Sequence, residues 1–144
     1  MLALLQPENG RICLYNNKEE VEVSPAVRNN LVYVPQGNSL WSGTIRENLL
    51  LGNPEATEEE MARMLEMAAA DFVFDFPEGL DTSCSELGGG LSEGQAQRIA
   101  IARALLRPGA VLLFDEFTSS LDDETERLLM QNLTCGLAGT DDAF

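Results

Sequence analysis

Histidine is absent from the 144 residues, and lysine occurs once, as Lys18 in NNKEE. No imidazole is therefore available as a catalytic or switch residue. A phosphate-cradling loop of the form GxxxxGK[ST] needs a lysine after its second glycine, and no stretch of this sequence supplies it. Basic residues are scarce overall: Lys and Arg total 9 against 24 Asp and Glu, a formal net charge of −15. Sequence-independent binding to DNA or RNA requires clustered cations, so that balance excludes it. The acidic excess reads as solvated surface. Cysteines number three, Cys13, Cys84 and Cys135. They are widely spaced with no CxxC pair, so they suggest neither a metal site nor a redox pair and read as reduced thiols of a cytosolic protein. No apolar run approaches bilayer length, the longest candidate being the strand-sized Val111–Phe114. The N-terminal MLALLQPENG lacks a basic region and its apolar part is short, so no secretory leader is expected. Internal repeats, low-complexity tracts and linkers are also missing, and the length suits one domain with a modest core.

What is present is organised by turns and caps. Met1 to Leu5 reads as the tail of a helix, and Pro7-Glu8-Asn9-Gly10 as a turn. RICLY (11–15) and EVEV (20–23) predict two strands around an Asn16-Asn17 turn, and LVYV (31–34) a third strand stopped by Pro35. Thr44 with Glu47 forms a capping box opening a short helix, TIRENLLL, that stops at Gly52-Asn53-Pro54. Thr57 with Glu60 opens a second helix, in which Met61, Met64, Leu65 and Ala68 fall at one-face spacing. That methionine stripe reads as core packing. Phe72 to Pro77 and Gly79-Leu80 predict a turn-rich connector. Ser92 and Gln95 form a third box, opening a helix from Glu93 to about Leu106. Val111–Phe114 predicts a strand buried on both faces of a parallel sheet. Asp122 would cap a last helix over 123–133, and no pattern follows from Cys135 on.

Three motifs carry chemistry, in the order LSEGQ (91–95), VLLFDE (111–116), SSLD (119–122). The Ser92 cap leaves the first-turn amides of Glu93 to Gln95 without intrahelical partners, at the positive end of the helix dipole. Such a turn presents N–H groups to phosphate. An apolar strand ending in Asp-Glu offers Asp115 to hold Mg²⁺ and Glu116 to orient a water. Alone, LSEGQ is an ordinary helix cap, Asp115-Glu116 an acidic strand end, and Asp122 an N-cap; their order and spacing favour the functional reading.

This ordered triple, with QAQRIAIARALL after the first motif, resembles the ATP-binding cassette (ABC) ATPases: signature motif, Walker B strand and D-loop. VPQGNSLWSGTIRENLLLG (34–52) resembles the Q-loop and the stretch after it in the exporter branch. The resemblance implies an α/β fold of P-loop NTPase type, here a fragment holding the helical subdomain (about 40–90, with the Q-loop) and part of the catalytic parallel sheet, with the signature helix, Walker B strand and D-loop over 91–133. It implies ATP and Mg²⁺ as cofactors, Glu116 as catalytic base, and Asp115 and Gln36 at the metal. Ser92, Gly94, Gln95 and Asp122, with Gln36, would serve nucleotide. Leu40 and Trp41 are candidates for contact with a membrane domain, or else for burial. Glu86, before Gly88-Gly89-Gly90, is equally a cross-talk residue or a plain loop carboxylate. Two departures stand out: Glu93, where the family usually has glycine, and Phe117, where it commonly has alanine. The implied partners are a second nucleotide-binding domain, head to tail, and a transmembrane domain at the cytoplasmic face of the membrane, with no nucleic acid. The resemblance reaches from Met1 to about Thr140, without P-loop and switch histidine, as in the middle of a longer domain. The 144 residues alone are therefore expected to be incompetent for ATP. Three rival readings remain: a non-enzymatic module lending its signature face to a partner's ATP site, a truncated product, and a non-transport ABC ATPase.

Overall fold

The computed structural model describes residues 9–15, 20–24, 31–34, 39–84, 90–108, 111–114 and 120–137. The expectations for Met1–Leu5, the Asn16-Asn17 turn, Gln36, Glu86, Gly88, Gly89, Asp115, Glu116 and Phe117 lie outside them. The two N-terminal strands form an antiparallel hairpin: β1 (Cys13–Tyr15) pairs with β2 (Glu20–Glu22), Cys13 opposite Glu22. β3 (Leu31–Val34) comes next, followed by a two-residue strand, β4 (Gly43–Thr44), that runs into helix α1 (Ile45–Leu50).

Helix α2 (Glu58–Met67) follows, and both helices begin at the boxes the sequence predicts. Thr44 Oγ1 accepts from the Glu47 amide at 3.1 Å while Glu47 Oε2 accepts from the Thr44 amide at 2.8 Å. Thr57 and Glu60 do the same at 3.2 and 2.8 Å. Each box satisfies two of the orphan donors at a helix start. Met61, Met64, Leu65 and Ala68 are all buried, as the stripe predicts. α2 ends in a left-handed turn at Ala69 (φ 52°), with the Ala70 amide donating to Leu65 O at 2.7 Å and the Ala69 amide to Glu66 O at 3.0 Å. That is the Schellman pattern, with alanine in the place usually taken by glycine.

The connector after α2 is two 3-10 turns, Asp71–Asp75 and Gly79–Asp81, followed by β5 (Ser83–Cys84). β5 pairs antiparallel with β4, a pairing too short to leave a sequence pattern. Arg46 of α1 ties this region together. Its Nε donates to Asp81 Oδ1 at 2.8 Å and its Nη1 to Glu58 Oε1 at 2.5 Å.

At the centre lies α3 (Glu93–Leu105). It packs against α1, α2 and β3. Ala96, Gln97, Ile99, Ala100, Ile101, Ala102 and Ala104 are all buried along it, so it is a core helix and not an amphipathic surface one. β6 (Val111–Phe114) then pairs in parallel with β3, Leu31 opposite Val111 and Val34 opposite Phe114. Contrary to expectation, β6 is only half-buried along its whole length. Leu31, Val32 and Val34 of β3 hold the deeply buried places, and among the described residues β3 is the only strand beside β6.

The last helix, α4 (Asp123–Leu137), runs four residues past the predicted end. Tertiary contact explains the extension. Asn132 Nδ2 donates to Glu66 O at 3.1 Å, and Gly136 lies so close to Met67 that an added Cβ would stand 2.5 Å from its Cε.

Ile99 is fully buried. Ile99→Ala should cost about 3 kcal/mol, the range for such truncations in a core that relaxes only partly. Urea unfolding measures it, and a loss under about 1 kcal/mol would contradict the central place of α3.

Candidate functional site: the first turn of the central helix

Ser92 caps α3 in extended conformation (φ −69°, ψ 159°). Its Oγ accepts from the Gln95 amide at 3.2 Å, and Gln95 Oε1 accepts from the Ser92 amide at 2.9 Å. Ser92 O receives the Ala96 amide at 2.9 Å, the first bond of the helix ladder. The amides of Glu93 and Gly94 precede that ladder and have no partner within it. The Ser92 hydroxyl, while accepting from Gln95, keeps its own proton to donate. Ser92 is exposed, and so is Glu93, whose side chain stands in solvent.

Gly94 is buried, and its neighbour is the chain itself. A Cβ there would meet Ser120 O at 2.7 Å and Leu121 Cδ2 at 3.2 Å. The resemblance implies a nucleotide-serving role for Gly94; the structure adds that glycine here lets the turn at 120–122 come close. LSEGQ and the end of SSLD therefore meet. Asp122 caps α4: its Oδ1 accepts from the Thr125 amide at 3.0 Å, its Oδ2 from the Thr125 hydroxyl at 2.8 Å, and its carbonyl from the Glu126 amide at 2.9 Å. Those donors favour the ionised form and hold the carboxyl below its ordinary 3.8.

Arg98, one turn further along α3, was not singled out by the sequence. Its Nε donates to Gly94 O at 3.2 Å and its Nη1 to Ala69 O at 2.6 Å, with the guanidinium carbon 4.6 Å from the Phe72 ring centroid. Burial lowers its pKa, while the charges of Asp122 and Asp71 raise it. Arg98 therefore joins the first turn of α3 to the left-handed Ala69 turn and lies within electrostatic reach of Asp122. Its arginine-fork geometry is visible only once the helices are packed.

Of the residues expected at the site, the structure brings together Ser92, Gly94, Gln95 and Asp122. Gln36, Asp115 and Glu116 lie outside the described residues. Leu40 is buried and Trp41 is 67% exposed, so the two candidates for partner contact divide. Among the described residues no cluster of three or more Cys, Asp or Glu is placed to hold a metal. No described helix is long and apolar enough to cross a membrane.

The ABC transporter family profile matches residues 1–119. The chain belongs to the ABC transporter family. It is 40% identical over 139 residues to the ABC multidrug transporter mdr2 of Aspergillus fumigatus, covering 96% of this chain and 18% of that protein. A Rickettsia conorii protein named for export as an ATP-binding/permease protein is 40% identical over 135 residues, 92% of this chain and 23% of its own length. A solved structure of a bacterial Atm1-family ABC exporter with ATP bound superposes at a TM-score of 0.77 and 34% identity, over 93% of this chain and 24% of that one. The chain thus spans about a fifth to a quarter of the length of these relatives. The fold is that of an ABC nucleotide-binding domain fragment, and the family is one of ATPases.

Two outcomes test this geometry. Gly94→Ala forces Ser120 and the first turn of α3 apart, so amide protection at 94–98 should fall in hydrogen exchange while α2 keeps its protection. Asp122 has a depressed pKa in the folded chain. Its contribution is therefore complete above its ordinary value and is lost as pH falls through the folded one. Acid unfolding of Asp122→Asn should have a shallower slope below about pH 4 than that of the unaltered chain, because the amide keeps an acceptor but no longer titrates.

Proposed function

We propose that this chain is part of the ATP-binding, ATP-hydrolysing portion of an ABC exporter, where it couples hydrolysis to transport across the membrane. The observation that carries this reading is the Ser92-capped turn of α3 lying directly against Ser120 and Leu121, which brings its unpartnered first-turn amides close to the segment ending in Asp122. The names of the relatives, multidrug and export proteins, support the direction.

In this reading the Ser92 hydroxyl and the amides of Glu93 and Gly94 receive the γ-phosphate of ATP held by the opposite subunit of a head-to-tail dimer, with Gln95 holding Ser92 in place through the capping box. A helix N-terminus with an exposed hydroxyl suits an anion. Asp122 reaches across the same interface. Asp115, with Gln36, would hold Mg²⁺, which when bound neutralises phosphate charge. Glu116 takes the proton of the attacking water as the γ-phosphoryl group leaves ADP. Glu93 brings a carboxylate beside that phosphate, and its exposure lets the charge remain in solvent. The site works at the cytoplasmic face of a membrane, docked on a transmembrane domain. The division into a helical part at about 40–90 and a signature, Walker B and D-loop part at 91–133 belongs to the same proposal.

The second reading is a module that lends its signature face to a partner's ATP site and turns over nothing itself. The 144 residues hold the signature face of such a site and contain no GxxxxGK[ST], so taken by themselves they offer only that half. Titration of the chain with a fluorescent ATP analogue should show no saturable binding in the micromolar range, because the β- and γ-phosphates lack their usual cradle and lysine. Tight binding would defeat that expectation. Stimulation of a P-loop-bearing exporter domain in trans, abolished by Ser92→Ala, would favour the second reading over the first.

A further inference from the structure

Arg98 is half-buried on α3, one turn beyond Gly94. Its Nη1 donates to Ala69 O at 2.6 Å, and its guanidinium carbon stands 4.6 Å from the Phe72 ring centroid. Those contacts already join α3 to the turn that ends α2. The remaining bond, from Nε to Gly94 O at 3.2 Å, adds nothing to that junction, because residues 94 and 98 share one helix.

The Gly94 carbonyl shares its peptide unit with the Gln95 amide. That amide donates to Ser92 Oγ at 3.2 Å. Ser92 is exposed and keeps its own hydroxyl proton to donate. From the guanidinium to Gly94 O, from the Gln95 amide to Ser92 Oγ, and on through the proton that Ser92 keeps, the bonds form one chain with every donor pointing the same way. A cation at the carbonyl oxygen draws electron density across the amide, which makes the N–H at the other side a better donor. A hydroxyl oxygen that accepts the stronger bond becomes a stronger donor in its turn. The guanidinium suits the head of such a chain, since its charge is permanent and its bonds are charge-assisted. The carboxylates of Asp122 and Asp71 lie within electrostatic reach of it.

The two other capping boxes lack this backing. The place that Arg98 takes after Ser92 is taken by Leu50 after Thr44 and by Arg63 after Thr57. The leucine has nothing to donate, and Arg63 is exposed. Among the described residues, a half-buried guanidinium stands behind the box of α3 alone.

We propose that Arg98 is a positioning residue for ATP hydrolysis: through the peptide unit of Gly94 and Gln95 it holds and polarises the Ser92 hydroxyl toward the γ-phosphate. The proposal rests on the reading above in which Ser92 meets that phosphate.

A double-mutant cycle tests it, in an ABC exporter whose full-length chain carries these residues. Arg98→Gln removes the charge and should lower kcat about fivefold with KM for ATP little changed, as a strengthening of roughly 10–30% per bond in such a chain implies. Arg98→Lys keeps the charge without the fork and should lose less. Both losses should vanish where Ser92→Ala is already present, because the hydroxyl they act through is gone. In the 144-residue chain the Gln95 amide proton should move upfield in Arg98→Gln, while the Glu47 amide proton, in the box of α1, stays in place. Losses that persist in full beside Ser92→Ala, or an unmoved Gln95 amide proton, mean that Arg98 serves the fold alone; the proposal is then overturned with the reading of Ser92 intact. A Ser92→Ala variant that hydrolyses ATP at the unaltered rate overturns both. Where Arg98→Gln fails to fold, Arg98→Lys carries the cycle and the amide measurement by itself.

Discussion

Burial of α3 on nearly every side is the constraint from which the rest of the structure follows. A helix with Ile99, Ile101, Ala102 and Ala104 all removed from water cannot rotate or slide without opening the core. Its first turn is therefore set by packing and not by the loop before it. The same rigidity requires small residues where other elements come close: Gly94 against Ser120, and Gly52 against Arg103. The Ser92-capped turn at one end and the grip on Ser39 at the other are consequences of one immobile rod. Two arginines finish the arrangement, Arg98 near its start and Arg103 near its end, each donating to a backbone carbonyl of another element.

Electrostatics follow the same division. The large negative charge lies mainly on exposed carboxylates, several of them at helix starts where the dipole favours them, as with Glu58, Glu59 and Glu60 on α2. Among the described residues the partly buried Arg98 and Arg103 donate to backbone carbonyls, and Arg46 donates to carboxylates. At the start of α3 Ser92 and Glu93 are exposed, while Gly94 behind them is buried against the turn at 120–122.

Much of this was legible in the sequence because caps are local. Thr44-Glu47, Thr57-Glu60 and Ser92-Gln95 each need only four residues, and all three boxes form. The methionine stripe was legible because one-face spacing is a property of a single helix. What could not be read depends on partners distant in the chain. The end of α4 is decided by Met67 and Glu66 of α2. The half-burial of β6 is decided by how many strands stand beside it. The place of Arg98 is decided by a left-handed alanine that no propensity would nominate. At the site, the meeting of LSEGQ with SSLD was legible as order along the chain, but the reason for glycine at 94 was not. Its requirement comes from Ser120 O, a backbone atom with no sequence signature.

The β3–β6 pairing has a consequence for how the chain reaches this state. Leu31 lies opposite Val111, so the strands that meet are separated by roughly eighty residues, and everything from α1 through α3 lies between them. Closing so long a loop costs chain entropy that no early contact of β6 repays. The contacts among α1, α2 and α3 span far shorter separations and can form first. The pairing of β6 with β3 is then expected to follow those helix contacts, as is the docking of α4 on α2 across a similar separation.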